Sequence, residues 1–361
     1  MEEYNIKEET YKCSKCGLCQ CVCPLYLATK NEMYLSRGRY IVINNFFNNN
    51  KKFSKDFIKT LDICLNCNLC KDFCPSSIDA YKIFTKLKSE YKCGFLNFSS
   101  IYKLIMYMHK IKSTLYNVFH INILFKNSLY SINIKRKKNN YPKKAKGKII
   151  FFEGCYNRYI NPSDKNAAEN IIESSGFEII KSKFFCCGYP YINEGNFNKF
   201  IENGKKFINS VPDSCDYIVF SCDSCFDTIE RLKDFLPEAE KIMKKIIRFD
   251  KFLEINNFNP VLKDNVIYYK PLIRKEKFNL DIPVLNKKGA CSLMENFILI
   301  KHKKITNLLL KNLFYTKEDT QNKTVFTTCL ISKLGLQYGF KKLKNNSKVL
   351  SFSELIHNSM P

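Results

Sequence analysis

Two copies of one cysteine pattern constrain this chain more than any other feature. Cys13-x2-Cys16-x2-Cys19-x3-Cys23-Pro24 is repeated as Cys64-x2-Cys67-x2-Cys70-x3-Cys74-Pro75. Three thiolates set two residues apart wrap one corner of a four-iron cube. The fourth, displaced by three residues and stopped by proline, is placed to reach the neighbouring cube. The spacing therefore predicts crossed ligand sets: Cys13, Cys16, Cys19 and Cys74 around one 4Fe-4S cluster, and Cys64, Cys67, Cys70 and Cys23 around the other. Zinc knots also use Cys-x2-Cys pairs, but they need neither a third cysteine in step nor a following proline. Cys21 and Cys93 fall outside both patterns and read as small buried residues.

The pattern is that of bacterial-type ferredoxins, but roughly forty residues separate the two motifs, too many for the compact β-rich form, and they hold two stretches of helical periodicity. An all-helical ferredoxin domain over residues 1–95 follows. In the gap, Ser36-Arg37-Gly38-Arg39-Tyr40 opens an apolar stretch. Its two arginines can face the negative charge of a cluster or begin a solvated helix, and the sequence alone does not choose.

Eighteen cysteines in 361 residues, behind an N-terminus (MEEYNIKEET) with no apolar leader region, argue for a reducing compartment and against a disulfide scaffold. The formal net charge is +25. The lysines are spread along the whole chain and no nucleic-acid-reading module accompanies them, so the charge is a composition bias that points to no nucleic-acid partner. Residues 96–134 are apolar and aromatic, but Lys103, His109, Lys110, Lys112, His120 and Lys126 interrupt every window long enough to span a bilayer. Residues 96–147 are thus expected to be helices and a basic linker, with Pro142 and Gly147 marking its end.

Beyond the linker, short strands alternate with helices. Lys148–Glu153, Phe177–Ile180 and Asp216–Phe220 read as strands, and Asn161-Pro162-Ser163-Asp164 as a helix start with capping chemistry. This is α/β organisation, in which ligands gather at the carboxyl ends of strands. There the chain places Cys155, Cys186-Cys187-Gly188 and Cys222-x2-Cys225, five thiols from three loops that suggest a further iron–sulfur site. The stretch then echoes itself at an offset of roughly a hundred residues. Ile246–Leu253 is answered by Val349–Ile356, and Ile218–Cys222 by Val325–Cys329. Ala290-Cys291-Ser292 stands where Cys186-Cys187-Gly188 stood, Pro271-Leu272 where the first cysteine was and Ser332 where the last was. Only Cys291 and Cys329 survive in the second copy. The fold class expected is a multidomain α+β protein: the helical ferredoxin domain, a cysteine-rich domain over 148–257, and a degenerate copy over 258–361.

This order of motifs, together with Ser36-Arg37-Gly38-Arg39, resembles the iron–sulfur subunit of glycolate oxidase. Related subunits serve lactate utilisation, anaerobic glycerol-3-phosphate dehydrogenase and heterodisulfide reductase. The resemblance implies an oxidoreductase subunit that carries electrons from a separate FAD-containing 2-hydroxy-acid dehydrogenase subunit, acting on glycolate or D-lactate, toward a quinone. It implies a cytoplasmic protein, peripheral on the inner face of the cell membrane. The heterodisulfide reductase and glycerol-3-phosphate dehydrogenase branches are the alternative. No Gly-x-Gly-x-x-Gly follows any strand, so neither flavin nor NAD is expected on this chain by that route. From the heterodisulfide reductase branch comes a third 4Fe-4S cluster held by Cys155, Cys186, Cys187, Cys222 and Cys225. Two thiols cannot hold such a cluster alone, so the second copy reads as a packing or docking domain.

Overall fold

The computed structural model describes residues 5–49, 52–91, 134–137, 145–159, 162–182, 184–258, 262, 265–276, 278, 282–285, 302–313 and 320–360. They fall into two compact units, each drawn from separate stretches of chain. The first takes Met1–Ser99, Pro190–Phe200 and Lys287–Tyr315; the second takes Ser100–Tyr189, Ile201–Asn286 and Thr316–Pro361.

The first unit is helical: α1 (Ile6–Tyr11), α2 (Pro24–Thr29), α3 (Ser36–Asn49), α4 (Lys55–Ile63), α5 (Leu69–Asp72) and α6 (Ala80–Tyr91). Local chemistry sets the starts. The Asn5 and Ser54 side chains accept the Glu8 and Phe57 amides at the heads of α1 and α4, and Pro24 opens α2, where its missing N–H costs nothing. The apolar stripes of α3, α4 and α6 bury Tyr40, Ile43, Phe57, Leu61, Ile83, Phe84 and Leu87 in one core. Each side chain fully removed from water contributes about 1.5–3 kcal/mol. Cys13, Cys64, Cys70 and Cys74 pack against this core, so the sulfurs are carried on its rim. A helix over Lys303–Leu313 packs on α2 with Leu309 fully buried.

The second unit holds two four-stranded parallel sheets, β2-β1-β3-β4 and β6-β5-β7-β8. Their strands are β1 (Lys148–Phe152), β2 (Glu178–Ile179), β3 (Tyr217–Phe220), β4 (Ile246–Arg248), β5 (Val266–Tyr269), β6 (Val284–Leu285), β7 (Thr324–Thr327) and β8 (Lys348–Ser351). The two orders are the same under a shift of four strands, as the echo in the sequence anticipated. β1 and β5 are almost continuously buried, as expected for parallel strands covered on both faces. A single core runs through both halves, from Ile149, Phe151 and Val219 to Tyr268, Phe326 and Leu350. The helix over Ser163–Ser174 packs against the one over Phe352–Ser359.

Two expectations change. Cys21 is exposed, at the end of a short 3-10 turn, rather than buried. The helix at Asn161–Asp164 does begin at Ser163, but no side chain caps it. Asp164 is instead fully buried and accepts hydrogen bonds from Asn157 (2.8 Å), Ser221 (2.6 Å) and Ser353. A buried carboxylate needs several donors, and these three supply them. The helices expected over 96–134, along with Cys93 and Cys291, lie outside the described residues. Among those described, no helix is long and apolar enough to cross a membrane.

Candidate iron–sulfur sites

The two cysteine motifs of the first unit adopt the same backbone. Lys15 and Gly17 in one, and Asn66 and Asn68 at the matching positions of the other, all lie in the left-handed region with φ between 53° and 84°. Three of the four, Lys15, Asn66 and Asn68, are not glycine and cost conformational energy there. The bends turn Cys13, Cys16 and Cys19, and likewise Cys64, Cys67 and Cys70, toward common hollows.

There are two such hollows. One is lined by Cys13, Cys16, Cys19 and Cys74, together with Cys70. The other is lined by Cys64, Cys67, Cys70 and Cys23. Each motif thus sends its fourth cysteine to the hollow of the other. Ser36 and Cys70 line both, so one wall separates them.

That wall is the start of α3. The Ser36 hydroxyl hydrogen-bonds to the Cys70 sulfur and the Arg37 amide to the Cys19 sulfur. Arg37 reaches the first hollow, held by Glu32 at 2.8 Å. Arg39 lines the second. It is buried, donates to the Thr60 carbonyl at 2.6 Å and lies over the Phe84 ring. Among the described residues no carboxylate pairs with it, and its Nε has no hydrogen-bond partner. Arg39 is therefore no solvated helix start, whereas Arg37 stays partly exposed. Gly38 permits the close approach, because a Cβ there would lie 2.1 Å from the Glu32 carbonyl oxygen.

Burial pushes the Cys19, Cys23, Cys67 and Cys70 thiols up from their ordinary values, against hydrogen bonds and, for Cys23, the Arg39 charge. Iron would supply the positive charge that makes such buried thiolates stable, and a dianionic cluster would partner Arg39. The donor set, the hollows and the unpaired guanidinium fit a four-iron cluster at each site. Among the described residues no three ligating side chains converge on a single metal ion; the thiols surround cavities instead.

The second unit gathers another set. Cys155 is the second residue of the helix over Gly154–Tyr159, whose Arg158 stacks on Phe185 at 4.1 Å, beside Cys186 and Cys187. Asn203 holds that loop through the Cys186 carbonyl at 2.8 Å. A Cβ at Gly154 would sit 3.5 Å from the Cys225 sulfur. Cys222 and Cys225 hydrogen-bond to each other, and Cys225 also to Cys187. Cys225 and Cys329 hydrogen-bonding to Cys222 hold its thiol well below the usual range, while the bonds to Cys187 and Cys222 push Cys225 up. The presence of Cys329 here was not foreseen. The only signal for it was its place opposite Cys222 in the internal echo. Cys215, also buried, makes a hydrogen bond to the Tyr217 carbonyl at 3.1 Å and stands apart from this group.

Comparison with known proteins agrees with the geometry. Residues 9–78 match the family model of the 4Fe-4S dicluster domain, and residues 149–230 that of the cysteine-rich domain. The chain carries a 4Fe-4S dicluster domain followed by a cysteine-rich domain. It is 30% identical over 71 residues to the probable glycolate oxidase iron-sulfur subunit of Bacillus subtilis (strain 168), a stretch covering 19% of this chain and 16% of that protein. These matches support the resemblance to the glycolate oxidase iron–sulfur family. No solved structure is significantly similar to the chain.

Proposed function

We propose that this chain is the iron–sulfur electron-transfer subunit of a glycolate- or D-lactate-oxidising complex. The observation that carries the reading is the pair of hollows in the dicluster domain, each holding the first three cysteines of one motif beside the fourth of the other. In this reading Cys13, Cys16, Cys19 and Cys74 hold one 4Fe-4S cluster, and Cys64, Cys67, Cys70 and Cys23 the second. Cys155, Cys186, Cys187, Cys222 and Cys225 hold a third.

Bound clusters supply one-electron chemistry, with potentials set by hydrogen bonds to sulfur, exposure and nearby charge. The chain's own residues provide those terms. Ser36 and the Arg37 amide donate to sulfur, and the buried Arg39 favours the more negative, reduced state of the second site. The start of α3 adds the positive end of its dipole to both. Substrate oxidation belongs to an FAD-containing partner subunit and the outgoing electrons to a quinone. The complex would be cytoplasmic, at the membrane's inner face.

The test is anaerobic purification followed by mixing with a reduced flavoprotein that oxidises glycolate or D-lactate. The reading expects at least about eight irons per chain, as two four-iron clusters require, and bleaching of the visible cluster absorbance on mixing. Zinc in place of iron, or clusters that the flavoprotein does not reduce, would refute it.

A further inference from the structure

The two α/β halves of the second unit meet at equivalent strand ends. β3 ends at Phe220 and β7 at Thr327, and two residues beyond each stands a cysteine, Cys222 or Cys329, at the N-cap of the following helix. The Asp223 amide donates to the Thr328 carbonyl at 3.0 Å, and the Thr328 hydroxyl to the Asp223 carboxylate. This stitch across the seam brings the two caps face to face. Cys329 hydrogen-bonds to Cys222, and the Leu330 amide, from the second half, donates to the same sulfur. The Ser224 hydroxyl lies 3.1 Å from the Cys329 sulfur. Cys329 is fully buried, with the Ser224 hydroxyl and the Cys222 sulfur beside it.

We propose that Cys329 supplies a thiolate ligand to the four-iron site of the first α/β half, which is thereby built from both halves. The inference rests on the third cluster assigned above. It gives the cysteine-poor half a task beyond packing: one ligand, and one backbone donor to the sulfur of another. Ligation forms an iron–sulfur bond and releases the Cys329 proton to solvent during assembly, with no change of oxidation state.

The test compares iron and acid-labile sulfide, with EPR of the dithionite-reduced full chain, for wild type, Cys329→Ala and Cys215→Ala. Cys215 is a buried thiol of the same unit outside the cluster of sulfurs, so its removal reports on packing alone. The inference expects about twelve irons in wild type and Cys215→Ala and about eight in Cys329→Ala, as three and two four-iron clusters require, with the dicluster signals unchanged. About twelve irons in Cys329→Ala with the third signal intact would overturn it, as would an equal loss in Cys215→Ala. About eight in wild type would remove the third cluster itself, and the inference with it.

Discussion

The molecule contains two internal duplications that have been used differently. In the dicluster domain both motifs keep all four cysteines, and each copy completes the other by exchanging its last one. In the second unit one half keeps most of the thiols, and the other meets it through Cys329, charge and backbone. There Asp223, fully buried, accepts from Arg248 at 3.1 Å and from Thr328, while Arg274 pairs with Asp250 and lies 3.5 Å from Asp223. Burial lifts Asp223 to about 6 although both arginines oppose it. The second half adds its own buried pair, Lys333 to Glu354 at 2.5 Å. An exchange of cysteines thus links the copies of one duplication, whereas a desolvated ion network spans the halves of the other.

The largest effect expected is Cys67→Ser. It should remove about four irons and block electron flow to a quinone analogue without slowing flavin reduction in the partner, because ligand loss and folding are coupled there. Unchanged quinone reduction would break the comparison at its metal side. Next is Asp223→Ala, which leaves Arg248 and Arg274 buried without their shared partner. A loss of about 3–5 kcal/mol is expected by denaturant unfolding of the second unit, with the dicluster EPR signals retained. A loss under about 1 kcal/mol would mean that the network contributes little to joining the halves.

Gly38→Ala sharpens the other side. Its Cβ would meet backbone rather than a movable side chain, so about 1–3 kcal/mol is expected, with a shift in the dicluster EPR signals as Ser36 and Arg37 move. A wild-type spectrum would show that the start of α3 is not held against the sulfurs. The smallest effect concerns His357, whose pKa is lowered by burial and by Lys137, and whose ring faces the Asn170 amide at 3.1 Å. A histidine with a depressed folded pKa contributes stability above its unfolded value near 6.5 and loses it as pH falls through the folded value. His357→Gln should therefore flatten a slight fall in stability below pH 6.5. A steeper fall in the variant would reverse the sign.

The dicluster motifs and the first three strands were legible because their signals are local: fixed cysteine spacing, and β-runs such as Ile149–Phe152. The shared strand order was legible as an echo. What escaped depends on contacts between residues far apart. Asp164 looked like a cap because its neighbours in sequence are capping residues, but its donors Ser221 and Ser353 come from elsewhere in the chain. Arg39 could be placed on a helix but not inside the core, since that choice rests on Phe84 and Thr60. Cys329 read as a leftover because its partner lies more than a hundred positions earlier, across a seam that no local pattern marks.

The central claim is the exchange of fourth cysteines in the dicluster domain, and EPR of three reduced single variants tests it most directly. Cys16→Ser removes a ligand of the first site, Cys67→Ser one of the second, and Cys74→Ser is the discriminating change. The account predicts that the residual cluster signal of Cys74→Ser matches that of Cys16→Ser. A signal matching Cys67→Ser would place Cys74 with its own motif and contradict the exchange.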